Sequence, residues 1–205
     1  RRMTTILAGV ALLSLGLILT HPFAAELAAG EMELTMLDVG QGDATLVVAS
    51  NGSTTLIDAG GLGGYSASTR LDTGEDIVAP YLWRRGIQRI DALVLSHLDF
   101  DHAGGAPAIL RIFRPRRLLL AKQPADHPLL GRVLAAATAA GVEIVHLRAG
   151  ETWEAGGVTW RALHPSSYQT ASDPKAGRSN EESLVLHARF GETSVLFAGD
   201  IHEAS

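Results

Sequence analysis

Ser96-His97-Leu98-Asp99-Phe100-Asp101-His102-Ala103-Gly104-Gly105 is the stretch on which the reading of the whole chain turns. It follows Ala92 to Leu95, a short continuous apolar run of the kind expected for a strand buried on both faces, and it precedes a helical pattern near Pro107 to Phe113. Continued alternation along the chain would point His97, Asp99 and Asp101 one way, with His102 beginning the turn back. Two imidazoles and two carboxylates within six residues suit a pair of divalent cations lying close together. Such a pair clamps the attacking and leaving oxygens of a hydrolysis and makes hydroxide available near neutral pH. Gly104-Gly105 marks a place where backbone must approach closely.

Three further carboxylate positions repeat one device. Ser194 to Ala198 reads as an apolar strand that ends on Gly199-Asp200, where a bridging ligand is wanted. Asp58 stands after Leu56-Ile57 and before Ala59-Gly60-Gly61. Asp38-Val39-Gly40-Gln41-Gly42-Asp43 joins the first two strands through a glycine-rich bend. With no cysteine there is no disulfide framework, no thiolate zinc site and no cysteine nucleophile, so histidine and carboxylate must hold any metal.

The 205 residues suit one medium domain with a short appendage, and 46% apolar against 19% charged residues excludes a disordered chain. A net charge of −5 excludes a uniformly basic nucleic-acid coat. Met3 to Ala25 holds no charged residue, so residues 1–25 are expected to form a transmembrane helix, with a signal peptide or a buried core helix as alternatives. Arg1-Arg2 ahead of that run would keep the start inside and place everything downstream outside. The chain reads as a piece of a longer protein, with a linker at 26–32 and the main domain over 33–205.

Strand signals in the domain fall at Glu33–Leu37, Ala44–Val48 and Thr54–Ile57, with Asn51-Gly52 as a hairpin turn. A helix is expected over Asp76–Arg85. Another follows over Pro128–Ala140, stopped by Gly141, between strands Leu118–Ala121 and Glu143–Leu147. The rest turns β-rich, at Val158–Leu163, Ser183–Phe190 and Thr193–Phe197, with a long polar loop over 165–182 as the rim of a site. Strands, then βα units, then strands again imply a mixed α/β sheet with helices outside.

Taken together these motifs resemble the metallo-β-lactamase superfamily, whose pattern is His-x-His-x-Asp-His after a strand, with an earlier strand-end Asp and a later Gly-Asp. Within it, the chain is similar to the extracytoplasmic domain of the DNA-internalisation competence (ComEC) family. That likeness is carried by Asp38 to Asp43, Ser96 to Gly105, Asn180-Glu181-Glu182-Ser183-Leu184-Val185-Leu186 and Phe197 to Ile201, over residues 33 to 201. It implies an αββα sandwich and metal-dependent phosphodiester hydrolysis. The substrate would be single-stranded DNA, the strand not imported during uptake. The preceding helix would belong to a larger DNA-uptake channel protein in the cell membrane, with the soluble domain on the extracytoplasmic side.

The resemblance also implies site roles. His97 and Asp99 would serve one divalent ion, Asp101 and His102 the other, and Asp200 would bridge, with Zn²⁺ or Mn²⁺ as the ions. Asp101 would also handle the proton of the attacking water. Asp58, Asn180, Asp38 and Asp43 would brace these ligands from behind.

Asp99 stands where the superfamily usually has histidine, which makes the site oxygen-rich and lets Mn²⁺ or Mg²⁺ compete with Zn²⁺. Asn180 replaces the histidine expected before the bridging aspartate, leaving His164 as an alternative donor, and a later histidine would lie beyond Ser205. The remaining histidines, at 21, 127, 146, 187 and 202, read as surface or core residues, and the tryptophans as core packing. Residues 84–122 carry eight basic and three acidic side chains, so Arg111, Arg114, Arg116 and Arg117 could contact nucleic-acid phosphates or simply form a solvated surface. Two other functions fit the same residues. One is a non-catalytic domain gating or scaffolding a DNA channel, and the other a small-molecule hydrolase of lactonase type.

Overall fold

The computed structural model describes residues 2–20, 30–62, 71–166 and 183–201. It opens with helix α1, Arg2–Thr20, whose apolar side chains Met3, Ile6, Leu7, Leu12 and Leu13 are exposed. Nineteen residues at 1.5 Å each reach about 28 Å, just under a bilayer core of about 30 Å. Among the described residues no helix is long and apolar enough to cross a membrane, so the span expected over residues 1–25 is not supported.

Two sheets carry the rest. The first has six strands in chain order, β1 (Met32–Met36), β2 (Thr45–Ala49), β3 (Thr54–Ile57), β4 (Ala92–Leu95), β5 (Arg117–Ala121) and β6 (Glu143–Leu147). Strands β1 to β3 are antiparallel neighbours, whereas β3, β4, β5 and β6 run parallel. The second is an antiparallel sheet of β7 (Thr152–Ala155), β8 (Val158–His164), β9 (Val185–Phe190) and β10 (Thr193–Phe197).

Strand β4 sits at the centre because it has apolar residues on both faces. Leu93 and Leu95 pack against the helical layer, while Ala92 and Val94 face the second sheet. The helical layer comprises a π-helical turn (Gly74–Val78) running into α2 (Ala79–Arg84), then α3 (Phe100–Ala103), α4 (Ala106–Phe113) and α5 (Leu130–Ala140). Between the sheets Trp160 is fully buried and stacks on Trp153 and Phe197, at ring separations of 5.7 and 5.9 Å. Trp83, by contrast, is half exposed against Phe113, so it is not the core residue its type suggested. Arg85 clamps Glu33 with both guanidinium nitrogens, tying β1 to the end of α2.

The layers among the described residues are helix, sheet and sheet. Residues of β8 facing away from the core, Thr159, Arg161 and Leu163, are exposed, and no described helix covers that outer face. The second helical layer of the expected αββα sandwich is therefore absent from the described residues. The polar loop expected over 165–182 lies largely outside them, as do Asn180 and His202.

Two elements escaped the pattern. Strand β7 is a short half-exposed arm that turns back through Gly156-Gly157. Helix α3 occupies residues expected to alternate as an extended segment, so Asp101 and His102 lie on a helical turn, not on the pleat of a strand. Close backbone approach holds that turn in place. Gly42 lies at φ +78, and a Cβ there would run into the Asp101 carbonyl; a Cβ on Gly61 would run into that of Phe100. Both the strain of a left-handed residue and the collision act against Gly42→Ala, which should lose about 1–3 kcal/mol in a denaturant melt. An unchanged midpoint would show that the 38–43 bend does not hold α3.

Candidate metal centre

Sites in parallel sheets form beyond the carboxyl ends of the strands, and this one does. Asp58 follows β3, Ser96 and His97 follow β4, and α3 carries His102 back over the same end. Backbone bonds lock these segments together. The His102 carbonyl accepts from Ala59 N–H at 2.8 Å, and the Gly60 carbonyl accepts from Gly105 N–H at 2.8 Å. The Ser96 carbonyl accepts from Leu184 N–H at 2.6 Å, which joins the two sheets at this end.

Asp58 is the hub. It is 2% exposed, sits at φ 58, and accepts three hydrogen bonds. These come from Ser96 N–H at 2.8 Å, Ser96 Oγ–H at 2.6 Å and His102 Nδ1–H at 3.0 Å. The single hydroxyl proton of Ser96 is thereby committed to Asp58. The 2.9 Å contact between Ser96 Oγ and His97 Nδ1 must then have the imidazole donating. In their neutral forms both rings consequently carry the proton on Nδ1 and present Nε2 as a lone pair.

One ring nitrogen from each of these histidines and an Asp200 oxygen lie within 4.8 Å of one another. His102 Nε2 is 3.5 Å from Asp200 Oδ2, and the ring centroids of His97 and His102 are 4.1 Å apart. His97 Nε2 is buried with no hydrogen-bond partner among the described residues. A buried lone pair facing a second imidazole and a carboxylate fits a divalent cation, which would satisfy all three at once.

The imidazoles are buried, whereas the side chains of Asp99 and Asp200 are 39% and 42% exposed. Any ion here would face solvent on its carboxylate side. Asp99 stands 3.7 Å from His97 Nε2, just outside the cluster, and its carbonyl starts α3. The Asp101 carboxylate is also outside it, though its charge acts on His102. Among the described residues His97, His102 and Asp200 thus form one cluster of possible ligands.

Burial works against a charged His102, and the hydrogen bond to Asp58 with the charges of Asp58, Asp200 and Asp101 overcomes it, raising the ring to about 9. His97 moves the other way, depressed by burial and by the neighbouring His102 charge. The pair thus holds one proton where a cation would sit. His102 lends the metal-free fold stability that is complete below 6.5 and is lost as pH rises through about 9. Loading a divalent ion at pH 7–8 should expel that proton. Calorimetry in buffers of different ionisation enthalpy should show the release; a heat independent of buffer would contradict it.

The other expected site residues fall around this centre or away from it. Asp38 caps its own bend through Gly40 N–H at 3.2 Å, and the Asp43 carbonyl accepts from Gly60 N–H at 2.9 Å. His164 donates Nδ1–H to the Ser183 carbonyl at 3.0 Å and does not join the ligand cluster. Arg117 opens β5 in register with Ala92, so Arg114, Arg116 and Arg117 lie at the opposite end of the parallel strands from the cluster. Arg116 pairs there with Asp91, and Arg111 pairs with Glu75 on the helical face. Sequence pattern alone assigns Ser96 no role, and the structure makes it the link between Asp58 and His97. A hydroxyl directly before a ligand histidine at a strand end is the signal that could have found it.

A family model for the metallo-β-lactamase superfamily matches residues 37–205, which takes in every residue of this centre. The chain belongs to the metallo-β-lactamase superfamily. It is 33% identical over 180 residues to ComE operon protein 3 of Bacillus subtilis, covering 84% of this chain and 22% of that protein. It is also 33% identical over 168 residues to Recombination protein 2 of Haemophilus influenzae, covering 82% and 18%. Competence protein ComA of Neisseria gonorrhoeae is 30% identical over 171 residues, covering 83% and 20%. The chain spans about a fifth of the length of these curated relatives.

Among solved structures, a HARLDQ-motif mutant of a Cronobacter sakazakii metallo-β-lactamase superposes with TM-score 0.52 at 17% identity, over 80% of this chain and 60% of that one. CmlA, a diiron β-hydroxylase from Streptomyces venezuelae, gives 0.51 at 24% identity, over 81% and 29%. At such identities these likenesses show the fold alone.

Proposed function

We propose that this domain is a metal-dependent phosphodiesterase that degrades single-stranded DNA during DNA uptake, as part of a longer membrane-associated protein. The observation that carries the reading is the convergence of His97, His102 and Asp200, with the buried His97 Nε2 lacking a hydrogen-bond partner among the described residues. His97, His102 and Asp200 would hold a divalent ion, Zn²⁺ or Mn²⁺, with Asp99 and Asp101 as the nearest donors for a second. A bound ion supplies Lewis acidity toward a phosphoryl oxygen and activates water near neutral pH.

The protein's own part is positional. Asp58 fixes both neutral tautomers through Ser96 and His102, and Asp101, whose charge acts on His102, would serve as the proton acceptor. The partly exposed carboxylates also constrain the substrate. Asp99, Asp101 and Asp200 would repel a phosphodiester unless cations neutralise them, so DNA should engage only the loaded site. The competence-type names of the relatives support DNA uptake as the setting.

The test is hydrolysis of labelled single-stranded DNA by chelator-treated protein, with Mn²⁺ or Zn²⁺ restored and Asp101→Asn as comparison. Ion-dependent cleavage that falls in the variant is expected. No cleavage with either ion would favour the non-catalytic gate, a reading that the position of Asp101 outside the three-donor cluster supports. Turnover of a lactone but not of DNA would favour a small-molecule hydrolase.

A further inference from the structure

The loop from Lys122 to Leu129 leaves the carboxyl end of β5, the neighbour of β4, and so emerges beside the His97–Asp99 segment. Two features mark it as more than a connection. Gln123 is 8% exposed, and among the described residues neither its amide nitrogen nor its amide oxygen has a hydrogen-bond partner. Buried amides are almost always paired, so an orphaned one at a site end marks a segment held for a reason other than packing.

The second feature is His127. Its Nδ1 accepts from Leu129 N–H at 3.3 Å, which leaves Nε2 carrying the proton. Its own N–H and carbonyl are tied to Pro124 and Leu130, so the ring is carried on a closed turn. Burial favours the neutral ring, and the loop that carries it leaves β5 at the same end of the parallel strands from which His97 follows β4. A neutral N–H donor there complements the non-bridging oxygens of a phosphodiester without competing for the metal.

We propose that the β5–α5 loop is the substrate-binding wall of this centre, with His127 Nε2–H donating to a phosphate oxygen of single-stranded nucleic acid next to the scissile one. The inference rests on the phosphodiesterase reading and deepens it. His127 is here a substrate-contacting residue; Gln123 is a positioning residue that sets the loop.

The experiment uses the full chain. Anisotropy of a short labelled single-stranded oligonucleotide, with Ca²⁺ in place of a catalytic ion, is read beside kcat and KM with Mn²⁺. His127→Ala should weaken binding and raise KM about tenfold, the loss of one hydrogen bond to a charged group, with kcat and metal content little changed. His127→Gln, which keeps an amide N–H near the Nε2 position, should stay within about threefold of wild type. Gln123→Leu removes an unpaired buried amide, so its melting temperature should hold or rise while KM increases.

Wild-type binding and KM in His127→Ala would overturn the inference. So would loss of metal or of folded structure in that variant, which would give His127 a structural role. Absence of both binding and cleavage in the wild type would instead overturn the phosphodiesterase reading, and this inference with it.

Discussion

Asp58→Ala is expected to lower stability by about 3–5 kcal/mol, the size seen when one partner of a buried charged pair is removed. Three donors lose their acceptor at once: Ser96 N–H, Ser96 Oγ–H and His102 Nδ1–H. Alanine also tolerates the left-handed backbone at φ 58 poorly, which adds about 1 kcal/mol. At roughly 2–4 °C per kcal/mol for a domain of this size, the melting temperature should fall by about 10 °C or more. Metal affinity should drop about 10- to 100-fold, because neither imidazole is then held in its Nδ1–H form. Asp58→Asn tolerates the backbone but must turn an amide N–H₂ toward Ser96 or His102. It should recover part of the stability and little of the metal affinity. A stability loss below about 1 kcal/mol in Asp58→Ala would show that the hub does not organise the centre.

His102→Ala should cost the most activity, about a thousandfold in kcat/KM on single-stranded DNA. A bound divalent ion supplies several kcal/mol to the transition state, and each 1.4 kcal/mol is about tenfold. The substitution removes one of three donors and leaves Asp58 without its buried partner. Circular dichroism and metal content measured on the same samples separate ion loss from unfolding. Full activity in a folded, metal-depleted variant would contradict the assignment of His102.

Much of this architecture is legible in the residues because local and global preferences agree. Ala92–Leu95 reads as a doubly buried strand and is one; Asn51-Gly52 closes the β2–β3 hairpin; Gly141 ends α5 in a left-handed cap. Helix α3 is not legible, since four residues carry no periodicity and tertiary contact at Gly42 and Gly61 sets its place. That one turn is why His97 and His102 meet instead of splaying along a pleat. Strand β7 hides for the opposite reason: half-exposed and short, it is defined by its pairing with β8. The proximity of Asp200 to His102 depends on segments far apart in sequence, which no local spacing encodes.

The central claim is that Nε2 of His97 and of His102 face one divalent ion together with Asp200. Long-range ¹H–¹⁵N correlation spectra of the histidine rings, recorded as Zn²⁺ is added to the metal-free protein, test it most directly. We expect both rings to carry Nδ1–H when loaded, and both Nε2 resonances to move together to saturation, with the response abolished in Asp200→Ala. Nε2 resonances of His97 and His102 that stay unchanged while Zn²⁺ binds would contradict it.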